Sequence, residues 1–127
     1  MNGPNQDFAM ASKTSSRKPY QVLRYEIHLV NLNPTSGKET QKTRPCVVVS
    51  PNAMHPTGMA VVCPLTTSHH PSWSHRLQIV CDGKSAEIMV DQIRAVSLLR
   101  FIKSIDKLRT DDAESLRNII SLLYITT

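Results

Sequence analysis

The chain has 127 residues, 40% of them hydrophobic, enough to close one hydrophobic core but not two, so a single domain is expected over this sequence. Fifteen Lys and Arg against ten Asp and Glu leave a formal charge of +5 and a pI near 9.4, a balance suited to an anionic partner such as nucleic acid or an acidic protein segment. The longest clean apolar run, residues 59–63, is too short to span a bilayer.

Residues 1–19 are polar and Ser/Lys-rich without the apolar stretch of a secretory signal, and read as a disordered arm or one left from cloning, ahead of a domain over residues 20–127. Residues 23–32 then form a mostly apolar run broken by Glu26 and His28, the pattern of a strand with one wetter face. A polar loop follows, with Pro34 and Gly37 as turn residues, Glu39 as its carboxylate and Lys38, Lys42 and Arg44 as cations. It runs through Arg44-Pro45 straight into a buried second strand over residues 46–50.

After a turn-rich stretch, residues 59–66 make a third strand ending in the hydroxyl pair Thr66-Thr67. The next connection, 68–75, holds three histidines, a proline and the only tryptophan. Alternation over residues 76–81 sets Leu77, Ile79 and Cys81 on one face and Arg76, Gln78 and Val80 on the other, with Asp82-Gly83-Lys84 as the turn. Residues 88–96 and 99–105 predict two further strands, for five or six in all. Only then does the period change: Leu116, Ile119, Ile120, Leu123 and Tyr124 form one stripe of a helix, and Asp111 with Glu114 predicts a capping box at its start. Short consecutive strands with one terminal helix imply a mainly β protein, a small, strongly curved antiparallel barrel.

Cys46, Cys63 and Cys81 are odd in number, widely spaced and set in strand-like stretches, so buried free thiols in a reducing cytoplasm are expected. His69, His70 and His75 share their loop with no carboxylate or cysteine and follow no finger or helical spacing, so no metal site is expected. The same loop suits RNA, with Trp73 stacking on an unpaired base and His69 and His70 adding polar contacts; packing of the tryptophan is the alternative. Asp91-Gln92 interrupts an apolar stretch and reads as a polar pair fixing strand geometry.

Arg44 offers a planar, permanently charged fork that matches two phosphate oxygens, and the following proline restricts its backbone to extended conformations. A solvated loop arginine would carry the same sequence. Thr66 can donate a hydrogen bond to a non-bridging phosphate oxygen or serve only as a strand former. Glu39 can orient Arg44, accept a proton from a ribose 2′-hydroxyl, or lie idle at the surface.

In chain order, Asn33-Pro34-Thr35, Gly37-Lys38-Glu39, Thr43-Arg44-Pro45 with residues 46–51, Pro64-Leu65-Thr66-Thr67 and Val90-Asp91-Gln92-Ile93-Arg94 form a series that resembles the MazF/PemK (Kid) family of type II toxin–antitoxin toxins. The resemblance covers about residues 22–125. It implies an SH3-like barrel with a C-terminal helix, a homodimer, and a metal-independent, cofactor-free, sequence-specific endoribonuclease acting on single-stranded RNA and inhibited by an acidic antitoxin. It implies catalytic roles for Arg44 and Thr66, makes Glu39 the loop glutamate, and makes Lys38, Lys42, Thr43 and Thr67 candidate RNA contacts. The implied chemistry is attack by the 2′-hydroxyl to leave a 2′,3′-cyclic phosphate and a 5′-hydroxyl, with Glu39 as first candidate for the base and a histidine of loop 68–75 as second. A non-catalytic binding barrel and a gyrase-poisoning toxin are the competing readings. The chain departs from the family in having Tyr25 where glycine often precedes the acid of the first strand. His28 replaces an aromatic two residues after that acid, either as a surface substitution or as a neighbour of the active groove.

Overall fold

Val- and Ile-rich stretches separated by turn residues make the computed structural model, in its described residues 21–33 and 42–125, a run of short strands closed by one helix. Strands β1 (Glu26–Asn31), β2 (Thr43–Val48), β3 (Met59–Thr66), β4 (Arg76–Cys81), β5 (Lys84–Met89), β6 (Arg94–Ser97) and β7 (Phe101–Lys107) precede α1 (Thr110–Ile120). They form one antiparallel sheet in the order β4-β5-β3-β2-β1-β7, with β6 on the first half of β3, curled into a half-barrel. The expected fold class, mainly β with a C-terminal helix, is therefore the observed one.

The strands expected at 59–66 and 76–81 occur with those bounds, while the single strand expected over 88–96 does not. Residues from 84 onward do run along one edge of β3, but a short 3₁₀ turn, Val90–Gln92, divides them into β5 and β6. Leu65 pairs with Ile88 and Val62 with Arg94, so the register slips by three residues across that turn. The last strand begins at Phe101 rather than 99, because Leu98–Arg100 makes another 3₁₀ turn. Seven strands result among the described residues, against the five or six expected.

Alternation along the strands builds two cores, where the chain length led to the expectation of one. Ile27, Val47, Cys63, Leu65, Ile88 and Leu116 belong to the one covered by α1; Val30, Cys46, Val48, Val62, Val96 and Phe101 belong to the other, on the opposite face. The helix stripe holds as far as Leu116, buried, and Ile119 and Ile120, half-buried, whereas Leu123 and Tyr124 are largely exposed. The expected capping box is absent. Ala113 N–H already donates to the Arg109 carbonyl, so Arg109 is the cap and Asp111 lies inside the first turn, where its carboxylate accepts from Arg109 and from the Asp112 amide instead. Acids still meet the positive helix end.

Tyr25 explains its own departure from the family pattern, since its φ of +70° is the left-handed region that favours glycine. The ring compensates by packing on the core under α1, with the Arg24 and Arg117 guanidinium groups 5.1 and 5.9 Å from its centroid. Tyr25→Ala should therefore destabilise the fold, and Tyr25→Gly should recover about 1 kcal/mol relative to alanine in urea unfolding, because only the alanine retains a Cβ in that conformation. Equal midpoints for the two variants would show that the backbone carries no strain there.

Candidate active site

β2 alternates between the two cores, which puts Arg44 on the face of Cys46 and Val48. Cys46 pairs with Pro64, and the same register carried two residues further sets Arg44 against Thr66 at the ends of their strands. A hydrogen bond from Arg44 Nη1 to the Leu65 carbonyl, 3.2 Å, ties the two ends together. Thr66 is in turn paired with Glu87 of β5, and Glu87 with Gln78 of β4. Directly opposed residues share a face, so Arg44, Thr66, Glu87 and Gln78 make one row across four adjacent strands, at a spacing of about 5 Å per strand.

Beside that row lies a groove of about 410 Å³. Lys42, Thr43 and Arg44 line one wall, Thr66 and Thr67 the end of β3, and Asp82, Lys84 and Ser85 the β4–β5 hairpin. Three cations thus border one cavity with four hydroxyl groups and a single carboxylate among the described residues, a composition suited to a polyanion. The hairpin is fixed by an Asp82-Gly83 turn with φ of 53° and 76°, and by a 2.6 Å bond from the Asp82 amide to the Asp106 carboxylate of β7.

The strand ends on either side of residues 34–41 are tied to each other. Leu32 N–H donates to the Lys42 carbonyl at 3.0 Å, the Lys42 amide donates to Asn33 Oδ1, and Arg100 donates to the Asn33 carbonyl. Glu39 and Lys38 lie outside the described residues, as do residues 1–19. His28 is 1% exposed, which rules out a surface substitution: its ring meets Phe101 edge-on at 5.4 Å and its Nε2 lies 2.8 Å from Glu26. It does not line the groove.

His69, His70 and Trp73 do not line the groove either; they belong to a cluster at the Glu87 end of the row. Glu87 is fully buried although it stands on the outward face of its strand, because loop 68–75 folds over it. Its carboxylate accepts from the His70 amide at 2.5 Å, Gln78 Nε2 at 2.6 Å and Arg76 Nη1 at 2.6 Å, with His70 Nδ1 3.3 Å away. Burial alone would raise its pKa, but these bonds prevail and hold it at about 2. Arg76 also grips Asp91 through Nε, 2.7 Å, so Asp91 sits in a turn with a side-chain partner instead of fixing strand geometry as expected. Trp73 is stacked on His70, with ring centroids 3.9 Å apart, and lies near the Arg76 guanidinium and His75.

The three cysteines are free and buried, as expected. Burial pushes the Cys46 and Cys63 thiols up to about 12 and raises Cys81, so all three are neutral and none is poised as a nucleophile. No group of three or more His, Cys, Asp or Glu among the described residues is placed to hold a metal ion.

A family model described as the PemK-like, MazF-like toxin of type II toxin–antitoxin systems matches residues 23–124. The chain belongs to this family. Among curated proteins, an Escherichia coli protein named Endoribonuclease PemK is 32% identical over 87 residues, which span 65% of this chain and 65% of that protein. Among solved structures, MazF from Deinococcus radiodurans superposes with a TM-score of 0.70 at 23% identity, over 83% of this chain and 97% of that one. An endoribonuclease from a mycobacterial species, solved with its cognate antitoxin, does so at 0.71 and 14% identity, over 84% and 98%. These likenesses support the fold. Within it, the Arg-Pro and Thr-Thr pairs of this sequence converge on one groove through Arg44 and Thr66, whereas the Glu87–Arg76–Asp91 network goes beyond what the sequence predicts. Its one advance signal was a glutamate directly across a hairpin from Gln78; its burial depends on a loop whose path the sequence does not reveal.

Proposed function

We propose that this PemK/MazF-family protein is a metal-independent endoribonuclease that cuts single-stranded RNA at preferred sequences and so inhibits translation and growth. The observation that carries the reading is the convergence of the Arg44 guanidinium and the Thr66 hydroxyl on a groove bordered also by Lys42 and Lys84. A phosphodiester seated there meets a fork that binds two of its oxygens and a hydroxyl that donates to the same group, both strengthening as charge builds in the transition state. The ribose 2′-hydroxyl attacks the adjacent phosphorus and the 5′-oxygen leaves, giving a 2′,3′-cyclic phosphate and a 5′-hydroxyl; DNA lacks the nucleophile. Arg44 is not the base, since a guanidinium keeps its proton near neutral pH. The base is Glu39 or a histidine of loop 68–75. Lys38, Lys42, Thr43 and Thr67 would bind the strand on either side of the cut, with the loop of His69, His70 and Trp73 beside it at the Glu87 end of the row. A homodimer acting in the cytoplasm completes the reading, silenced by an acidic antitoxin; relatives solved together with an antitoxin support the last of these partners.

Incubation of a long RNA with the protein in EDTA should yield discrete fragments bearing 5′-hydroxyl ends, mapped by selective end-labelling. Intact RNA with a mobility shift would instead identify a binding barrel, and intact RNA with loss of gyrase supercoiling would identify a protein target.

A further inference from the structure

Resting on that endoribonuclease reading, we infer that His70, oriented by the buried carboxylate of Glu87, is the general base that takes the proton of the attacking 2′-hydroxyl. The row across the sheet places Glu87 beside Thr66, one strand spacing from the hydroxyl assigned to the phosphate. Thr66 Oγ1 accepts from the Ser68 amide, 3.2 Å, where the loop departs; two residues later the His70 amide returns to Glu87 at 2.5 Å. The histidine is thus tied by its backbone to the residue facing Thr66.

Its ring is oriented as well. Nδ1 lies 3.3 Å from Glu87 Oε2 and 3.4 Å from Arg76 Nη1. An ionised carboxylate only accepts and a guanidinium only donates, and Arg76 Nη1 already donates to that same Oε2 at 2.6 Å. Nη1 keeps a second hydrogen that a bare Nδ1 could accept, but the nearer contact is to the charged Oε2, toward which a bare Nδ1 would set its lone pair; with the proton on Nδ1 the ring donates there and leaves Nε2 as the acceptor. Nothing among the described residues bonds to Nε2, and the side chain is 37% exposed while its carboxylate partner is not exposed at all. Trp73, stacked on the imidazole at an interplanar angle of 14°, limits rotation of the ring. A carboxylate bonded to one imidazole nitrogen with the other presented outward is the arrangement that orients a base and stabilises it once protonated.

The other histidines of the loop lack this arrangement. His69 Nδ1 meets the neutral amide of Gln78 at 2.5 Å, and His75 lies 3.9 Å from an Asp91 already engaged by Arg76. The charged groups facing His70 are Glu87 of β5 and Arg76 of β4, with Asp91 and His75 beyond Arg76 and Trp73. In the reaction Nε2 takes the 2′-hydroxyl proton while the O2′–P bond forms and the P–O5′ bond breaks; the leaving oxygen takes a proton from water, and His70 returns its own to solvent.

His70→Asn retains an amide donor toward Glu87 but has no basic nitrogen, and His70→Ala removes both. Each should lower kcat by about 100-fold or more and abolish the acid limb of the pH–rate profile, while imidazole in the buffer restores cleavage to His70→Ala. Circular dichroism melts check that both variants are folded, and His70→Asn serves if the alanine variant is not. An acid limb that persists in His70→Asn, or that vanishes only in Glu39→Gln, overturns the assignment while cleavage by the unaltered protein leaves the nuclease reading standing. An unaltered protein that leaves RNA intact overturns both.

Discussion

Arg44→Ala should reduce kcat/KM for RNA cleavage by a factor of about 100 to 1,000, with most of the loss in kcat. The direction follows from where the charge builds. Phosphoryl oxygens carry more negative charge in the transition state than in bound RNA, so a preorganised cation is worth more there, and removing one such donor typically costs about 3–4 kcal/mol. Arg44→Lys should recover only part of the rate, because an ammonium is a point charge that cannot span two oxygens. The fold should tolerate both changes. The arginine is only half-buried, and among the described residues its hydrogen bond is a single one to the Leu65 carbonyl, worth about 1 kcal/mol. Thr66→Ala, which removes a neutral donor, should cost less, on the order of tenfold. Single-turnover rates with saturating RNA separate chemistry from binding; an Arg44→Ala protein that cuts at the native rate would remove the site from this groove.

Much of this was legible in the sequence because local patterns state it directly. Period-two alternation gave β4 its bounds and faces, the Asp82-Gly83 pair its turn, and the Arg-Pro motif a charged side chain at the mouth of β2. What remained hidden depends on long-range pairing. Nothing local tells that the stretch from 84 to 97 would serve both halves of β3 and need a three-residue slip at Val90–Gln92 to do so. Composition likewise marks Glu87 and Arg76 as ordinary strand-surface charges, and only the loop folded over them turns these into a buried pair. Tyr25 is the converse case: the residue is out of pattern in the sequence, but the left-handed backbone that strains it is set by the fold around it.

Glu87→Ala should lower stability by about 3 kcal/mol near neutral pH, a fall in Tm of roughly 10–15 °C for a domain of this size. The loss is large because the change leaves Arg76, with a side chain 7% exposed, to face a cavity with Asp91 as its one charged partner among the described residues, and leaves the His70 amide and Gln78 Nε2 without their acceptor. Replacing both members at once, Glu87→Leu with Arg76→Leu, should recover much of it, since a buried ion pair and well-packed apolar residues of similar size are often close in free energy. The pH dependence separates charge from packing. Burial tends to raise the Glu87 pKa, but its hydrogen bonds hold it at about 2 in the fold against an ordinary 4.5. Between those values the unfolded chain binds the extra proton, so stability falls as the solution is acidified. The contribution of the Glu87 charge is complete above about 4.5 and is lost toward about 2. Asp91, held down by Arg76 against its own burial, adds in the same direction. The difference in unfolding free energy between the native chain and Glu87→Gln should thus shrink steadily from pH 5 to pH 2 in urea titrations. A difference that stays constant over that interval would mean that Glu87 acts through its shape alone, and that no charged pair holds loop 68–75 in place.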